Sequence, residues 1–416
     1  MIHGLQPENH GKESDNPLMV QLNPPSASRL AIERFIEEHL SHLTESPIIG
    51  SPSIRGGQTT ANARLASLDL TGYAAKRNEV LPIASRGATR LSPYIRHGIL
   101  QLDEVWNQAD HAPSKDKKKF RDELLWQEYA RHWYAALGEK TKSPLKRKRL
   151  NTQSGNGWDR TLPCINIAIQ ELETHGWLPN QSRMWLSSDW SVRKHQDWNE
   201  GEDRFFRHLI DGSRAANRLG WQWTTGIGSS KSYGFSRWQV EKRAPGLCNQ
   251  CPHQKACPIQ EWPEDPLSEA VPPPTRIDNY GPTTVVEKGQ PTKVWITAES
   301  MGQKDPALEN NPTLPAVFVF DEPLLTRLQI TSKRFVFMLE TLAEISETRP
   351  LTIYLGDPKT ELAGIPLAVT HAPVPGFQRH AKTLNTVQTW PWPWLCQPNN
   401  APVHSFSSWI KKTDTP

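Results

Sequence analysis

The sequence predicts a mainly α-helical region followed by a small parallel α/β unit of Rossmann-like type. From 30 to 262, apolar residues recur at helical spacing. At 263 the texture changes to PEDPLSEAVPPPTRIDNYGP, and 263–290 reads as a proline-rich linker. Beyond it, short β-type runs alternate with a helical segment, the pattern of parallel strands joined by helices.

The elements follow in order. Residues 1–28, rich in Pro, Asn and Ser, read as a flexible leader. Leu30 to Leu43 has helical apolar spacing, and Gly56 and Gly57 mark a turn before a helix over 58–73. After a loop through Pro82 and Gly87, Ser92-Pro93 fits a helix start with Ser as N-cap. The clearest long helix runs from Phe120 to Leu137, with apolar or aromatic residues at 120, 124, 125, 129 and 133. The basic run 140–149 reads as a solvated loop or as a phosphate-backbone patch. Further helices are expected near 163–174, 180–195 and 202–210. In the second unit, 294–297, 316–320 and 352–355 read as strands and 334–345 as a helix. WPWPWL at 390–395 reads as an irregular end packed on a surface. The division is therefore a leader (1–28), a helical domain (29–262), a linker (263–290) and an α/β domain (291–416), without internal repeats.

Composition bounds the function. With 416 residues, 36% hydrophobic and 22% charged, the chain is neither collagen-like nor a small disulfide scaffold. A net charge of +4 permits a nucleic-acid partner without arguing for one. No apolar run approaches the ~18 residues of a membrane span, and the polar N-terminal stretch has no secretory h-region. Five cysteines in so long a chain point to a reducing compartment, the cytoplasm, and to thiols used for metal or redox chemistry. Tryptophan is over-used, 17 residues against 7 Tyr and 11 Phe.

Two constellations carry chemistry. Cys248-x2-Cys251 with Cys257, plus the remote Cys164, supplies four thiols for a tetrahedral zinc site or an iron–sulfur cluster. His253 is a further zinc ligand candidate, and buried free thiols are the plain alternative. Cys396 stands apart as packing. The second constellation interleaves Trp with polar groups over 120–129, 177–184, 198–202 and 211–223. It reads either as a polar cavity with aromatic walls or as a Trp-rich core with capping carboxylates.

GGQTTANARL (56–65), YAAKRN (73–78), RLSPYIRHGIL (90–100), ELLWQEYARHW (123–133), GWLPNQSRM (176–184), DWNEGEDRFF (197–206) and LIDGSRAANRLGWQW (209–223) occur in this order. Together they resemble the flavin-binding domain of the photolyase/cryptochrome family over about 56–223. The cysteine arrangement resembles the iron–sulfur branch, which implies a [4Fe-4S] cluster on Cys164, Cys248, Cys251 and Cys257. Val294-Trp295, Asp305-Pro-Ala-Leu308, Val317 to Asp321 and Gly356-Asp-Pro358 resemble the family's α/β antenna domain. Here it follows the flavin domain, a reversed order. Thr-Ala-Glu-Ser-Met-Gly (297–302) replaces the usual Arg-rich turn, leaving an antenna chromophore open.

The resemblance implies FAD and assigns roles position by position. Thr89, Arg90, Leu91 and Ser92 match the pyrophosphate loop, and Tyr73 a phosphate or ribose contact. Phe120, Gln127, Asn180 and Arg183 match flavin contacts, with Arg183 paired to Asp211 at the pyrimidine edge of the ring. Ser213 replaces a second family Asp. Asn217 matches the residue beside flavin N5. Trp126 and Trp223 match the walls that stack on an extruded pyrimidine dimer. Met184 matches an apolar contact to the dimer and Glu123 the carboxyl group bonded to it. Trp221 and Trp198 match the first two members of an electron-transfer chain, with Trp158 a candidate third. The activity implied is blue-light-driven reversal of cyclobutane pyrimidine dimers in DNA by an electron from excited reduced FAD, a deoxyribodipyrimidine photolyase. The alternative is a cryptochrome-type photoreceptor signalling to a protein partner. A third reading is a nucleic-acid-binding relic without flavin.

Overall fold

The computed structural model describes residues 20–264 and 268–416. The helical region holds α1 (Arg29–His39), α2 (Gln58–Ala66), α3 (Tyr73–Lys76), α4 (Ser92–Arg96), α5 (Leu102–Gln108) and α6 (Ser114–Leu137). It continues with α7 (Pro163–His175), α8 (Asn180–Ser188), α9 (Trp198–His208), α10 (Arg214–Thr224) and α11 (Arg237–Arg243). Local chemistry sets the ends. Ser28 Oγ accepts from Ala31 N–H to start α1. Gly138, at φ 54°, stops α6. The stretch read as one helix over 58–73 divides into α2, which ends at Ala66, and α3, which follows Gly72 in a left-handed conformation. A wider π-helical turn, Asp189–Arg193, ends the segment expected to be helical to 195. The helix expected from 202 starts at Trp198, where Asp197 accepts from Asn199 N–H.

The other layer is a seven-stranded sheet. Its strands are β1 (Val20–Leu22), β4 (Val286–Glu287), β5 (Lys293–Ile296), β6 (Ala316–Asp321), β7 (Leu351–Gly356), β8 (Leu367–Thr370) and β9 (Thr386–Trp390). A separate two-stranded ribbon is formed by β2 (Arg147–Arg149) and β3 (Ser268–Ala270). The large sheet runs β1-β7-β6-β5-β8-β9-β4. The five inner strands are parallel, in register Val317–Thr352 and Val294–Ala316, and both edges are antiparallel. Strands buried on both faces read as unbroken apolar runs, as in AVFVF (316–320). Crossovers use α12 (Pro306–Glu309), α13 (Glu322–Leu328), α14 (Ser332–Thr348), α15 (Pro358–Glu361) and α16 (Pro375–Ala381). A last helix, α17 (Phe406–Ile410), packs against α6.

Two segments depart from the sequence reading. The leader is not loose throughout: Val20–Leu22 pairs with Leu355–Ile353 and closes one sheet edge, while residues 1–19 lie outside the described residues. The 263–290 stretch is tied down rather than a free tether. Ser268–Ala270 pairs with the basic 147–149 run, Ile277 and Asn279 donate to the carbonyls of Ala136 and Ala135, and Val286–Glu287 forms the other sheet edge. The WPWPWL end is also integrated, with Trp390 in β9 and Trp392 and Trp394 buried.

One core joins the two layers. Phe35, Tyr94 and Phe120 from the helices share it with Phe318, Phe320 and Phe337 from the sheet side. Helix α14 is the central piece, with Phe335, Phe337, Leu339 and Leu342 fully buried. The Gly56-Gly57 turn docks on it: Gly56 N–H donates to Glu340 Oε2 at 2.7 Å and Gly57 N–H to Thr341 Oγ1 at 3.0 Å. A Cβ on Gly56 would meet the Phe337 carbonyl oxygen at 2.0 Å, so only glycine permits this approach.

Candidate functional site: a tryptophan-walled cavity

A cavity of about 620 Å³ opens between three helices of the first region. Periodicity explains its lining. Helix α6 presents Phe120, Glu123, Leu124, Gln127, Ala130, Arg131 and Tyr134, spaced three and four apart and so on one face. Helix α8 presents Asn180, Arg183, Met184 and Ser187, and α10 presents Asn217, Trp221 and Thr224, by the same rule. Tyr73 and the segment Ala88 to Ser92 complete the inner end, and Trp126 and Trp223 stand at the rim. Asp211 and Ser213 line the cavity just before α10, which Ser213 caps by accepting from Ala216 N–H. Of the flavin, lesion and electron-transfer candidates read from the sequence, all line it except Trp198 and Trp158.

The interior is polar and incompletely satisfied. Arg183 Nη2 donates to Asp211 Oδ2 at 2.7 Å, while Asp211 Oδ1 and Asn217 Nδ2 are buried without a partner. Unpaired buried donors and acceptors cost free energy, so such atoms mark a place where a ligand supplies the partners. FAD fits this donor set: the Arg183–Asp211 pair, the Asn217 amide and the phenol of Tyr73 are the groups a polar ring edge and a phosphate require. Burial raises the Tyr73 pKa, keeping the phenol a hydrogen-bond donor. Arg90 sits at φ 57° with its guanidinium 5.2 Å from the Trp177 ring, and burial lowers its pKa. Ser92 is the first residue of α4 rather than its cap, and its Oγ accepts from Trp177 Nε1 at 3.0 Å. Glu123 Oε1 accepts from Arg77 Nε at 3.2 Å and pairs with Lys119 Nζ at 2.8 Å.

The rim and the interior use tryptophan differently. Trp126 and Trp223 are 37% and 44% exposed. Phe406, which does not line the cavity, stacks on Trp126 at 4.0 Å and 13°. Trp221 is buried with an unpartnered Nε1 and meets Phe205 edge-on at 5.2 Å. A Cβ on Gly201 would strike the Trp221 ring at 2.3 Å and Trp190 Cδ1 at 3.0 Å, so the two rings close on one glycine. Trp190 in turn lies 4.8 Å from Trp158. Trp198 is buried in the same cluster with no ring contact to Trp221 among the described residues.

Residues that sequence reasoning missed come from far away in the chain. Glu299, Pro373, Val374 and Trp392 belong to the α/β unit yet line the cavity. Glu299 pairs with Arg96 at 2.7 Å, and Arg131 lies over the Trp392 ring at 5.3 Å. No local signal marks them, because only tertiary packing brings them in. The lysines of α6 are largely neutralised, Lys117, Lys118 and Lys119 pairing with Asp110, Asp122 and Glu123, and Arg149 of the basic 140–149 run is buried.

The thiols form a second, separate group. Cys164, Cys248 and Cys257 belong to one packed cluster, and Cys251 follows Cys248 by three residues. Burial, then the neighbouring Cys248 and Cys257, push the Cys164 thiol up to about 12. Among the described residues no group of three or more His, Cys, Asp or Glu side chains is arranged around a single metal ion. Four thiols are nonetheless the donor type and number that a four-thiolate cluster requires.

This geometry defines a class: a helical unit with a polar, aromatic-walled cavity of small-molecule size. Comparison with known proteins sharpens it. Residues 120–244 match the family model for the FAD binding domain of DNA photolyase. The chain is 27% identical over 187 residues to a deoxyribodipyrimidine photo-lyase of Streptomyces griseus, covering 43% of this chain and 41% of that one. It is 30% identical over 193 residues to a protein of the same name from Thermus thermophilus, covering 43% and 45%. It thus spans less than half the length of these curated relatives. A solved cryptochrome from Synechocystis sp. PCC6803 overlaps 49% of this chain and 46% of its own at 20% identity and TM-score 0.42. No described helix is long and apolar enough to cross a membrane.

Proposed function

We propose that this chain is a light-driven flavoprotein that reverses cyclobutane pyrimidine dimers in DNA. The observation that carries the reading is the convergence of one polar interior and two exposed tryptophans on one cavity. FAD, when bound, supplies light-driven donation and recovery of a single electron. The chain's own residues bind, position and exclude water. Thr89, Arg90, Leu91, Ser92 and Tyr73 would hold the pyrophosphate end. Phe120, Gln127, Asn180 and the Arg183–Asp211 pair would hold the ring. The neutral Asn217 amide would stabilise added negative charge there without a proton. Trp126 and Trp223 would stack on the extruded pyrimidines at ~1–3 kcal/mol per base, with Met184 as apolar support. Glu123 would bond the pyrimidine edge, and the cations of Arg77 and Lys119 beside it balance negative charge passing through the lesion. Trp221 is the first residue for resupplying electrons from outside. Trp190 and Trp158 continue from it more directly than Trp198 does.

Cys164, Cys248, Cys251 and Cys257 are the proposed ligands of a [4Fe-4S] cluster, whose role would be to staple the 248–257 loop to α7. The division proposed is a flavin unit (29–262) followed by an antenna-like unit (291–416), the reverse of the family's order. A photoreceptor reading is favoured by one observation, the ion-paired state of the lysines on α6. The deciding experiment mixes flavin-reduced protein with a single-stranded oligonucleotide carrying one thymine dimer. Light-dependent dimer loss that disappears in Glu123→Ala supports repair. An intact dimer beside a bound, photoreducible flavin overturns it in favour of signalling.

A further inference from the structure

Helix α6 serves two neighbours. One side carries Phe120, Glu123, Gln127, Ala130 and Tyr134 to the cavity. The other carries Glu128, Tyr129 and His132, all buried and none lining the cavity. These three grip the far end of the chain. Glu128 Oε1 accepts from Cys396 N–H at 3.0 Å, and His132 Nε2 is hydrogen-bonded to the Cys396 carbonyl at 2.9 Å. Tyr129 Oη donates to the Val403 carbonyl at 2.8 Å. Trp409 of α17 is fully buried, 5.5 Å from the Tyr129 ring and 5.1 Å from the His132 ring. Buried hydrogen bonds and ring contacts thus pin 396–409 to α6.

Trp126 stands on the seam between the two sides. It lines the cavity, and its ring also meets Tyr129 edge-on at 5.9 Å. Phe406 stacks on Trp126 with 4.0 Å between ring centroids and 13° between planes, and meets Tyr129 at 5.7 Å. With 3.6 residues per turn, Tyr129 lies further round α6 from the Gln127 and Ala130 stripe than Trp126 does. A ring that touches both, and does not line the cavity, covers the side of Trp126 turned away from the cavity. Trp126 is still 37% exposed, and that exposure is left to its other face and its edges. The Phe406 side chain has no polar atom, so what it supplies is a flat backing.

We propose that Phe406 is a positioning residue of the lesion site, backing Trp126 so that its free face is fixed before an extruded pyrimidine arrives. The inference rests on the reading of Trp126 as a stacking wall. An unbacked indole at a rim moves among rotamers, and ordering it on binding costs affinity. Stacking on a ring that is already fixed avoids that cost. A residue beyond the α/β unit thereby sets affinity for the substrate without touching it.

The test is fluorescence anisotropy titration of the full-length, FAD-loaded chain. The probes are a labelled single-stranded oligonucleotide carrying one thymine dimer and the same strand undamaged. Phe406→Ala should weaken dimer binding on the order of three- to tenfold, with flavin content and affinity for the undamaged strand unchanged. Phe406→Leu, which keeps apolar bulk without a flat ring, should match Phe406→Ala, and Phe406→Tyr should match the parent. In a Trp126→Ala background, Phe406→Ala should change nothing further, because its effect passes through that ring. Parental dimer affinity in Phe406→Leu overturns the proposal, as does an equal further loss in the Trp126→Ala background. If Phe406→Ala sheds its flavin, Phe406→Leu decides by the same criteria. A parent that binds damaged and undamaged strands alike overturns the repair reading and this inference with it. A discriminating parent with indifferent Phe406 variants overturns this inference alone.

Discussion

The helical region and the sheet bury their polar groups in opposite ways. At the centre of the sheet, Ala316 to Phe320 is wholly buried hydrocarbon. The helices instead bury Asp211, Asn217, Glu202 and Arg218, several with atoms left unpartnered. An apolar layer needs only to pack. A polar interior is costly unless something completes it. The centre of the sheet therefore reads as scaffold, and the helical cavity reads as a binding site.

Breaking the shared core tests whether the two regions are one body. Phe337 is buried and lies 5.5 Å from Tyr94 and 5.2 Å from His97, across the junction. Phe337→Ala should cost about 3–5 kcal/mol, with tryptophan fluorescence and far-UV circular dichroism shifting to the same lower urea midpoint. A loss confined to one signal would show two independent units.

The polar interior is tested next. Asp211→Ala leaves the Arg183 guanidinium without its 2.7 Å partner. Truncating one member of a buried charge pair costs ~2–5 kcal/mol, so retained FAD should fall steeply while the unfolding midpoint moves less. The rim should matter to substrate and not to cofactor. Trp126→Ala should weaken binding of dimer-bearing oligonucleotide by ~1–3 kcal/mol and leave the flavin absorbance unchanged.

The smallest effect is pH dependence. Burial, opposed by Arg214 and Arg218, raises the Glu202 pKa to about 7, above its unfolded value of about 4.3. The folded chain then holds a proton that the unfolded chain releases. This contribution is full below pH ~4 and is lost as pH rises through 7. Denaturation midpoints across this window should show a downward component that Glu202→Gln removes.

Much of this was legible in the sequence, for identifiable reasons. Spacing of three and four placed Phe120, Glu123 and Gln127 on one helix face, and unbroken apolar runs marked parallel strands. The edge strand Val20–Leu22 was not legible, since three residues in a Pro- and Asn-rich stretch carry no periodicity. The pairing of 268–270 with 147–149 was hidden for the same reason. Glu299 and Trp392 lie in strand-end loops that pack on Arg96 and Arg131 of the helical region, an approach no local pattern encodes. Trp190 carries no signal of its own in the sequence, where the family resemblance points to Trp198. Only the close approach at Gly201 shows which ring neighbours Trp221.

The proposed function requires that the cavity between α6, α8 and α10 hold FAD. Its most direct test is to denature the purified chain and measure the flavin released. One FAD per chain, falling sharply in Asp211→Ala, is the predicted result. A folded chain that releases no flavin, even after incubation with excess FAD, would contradict it.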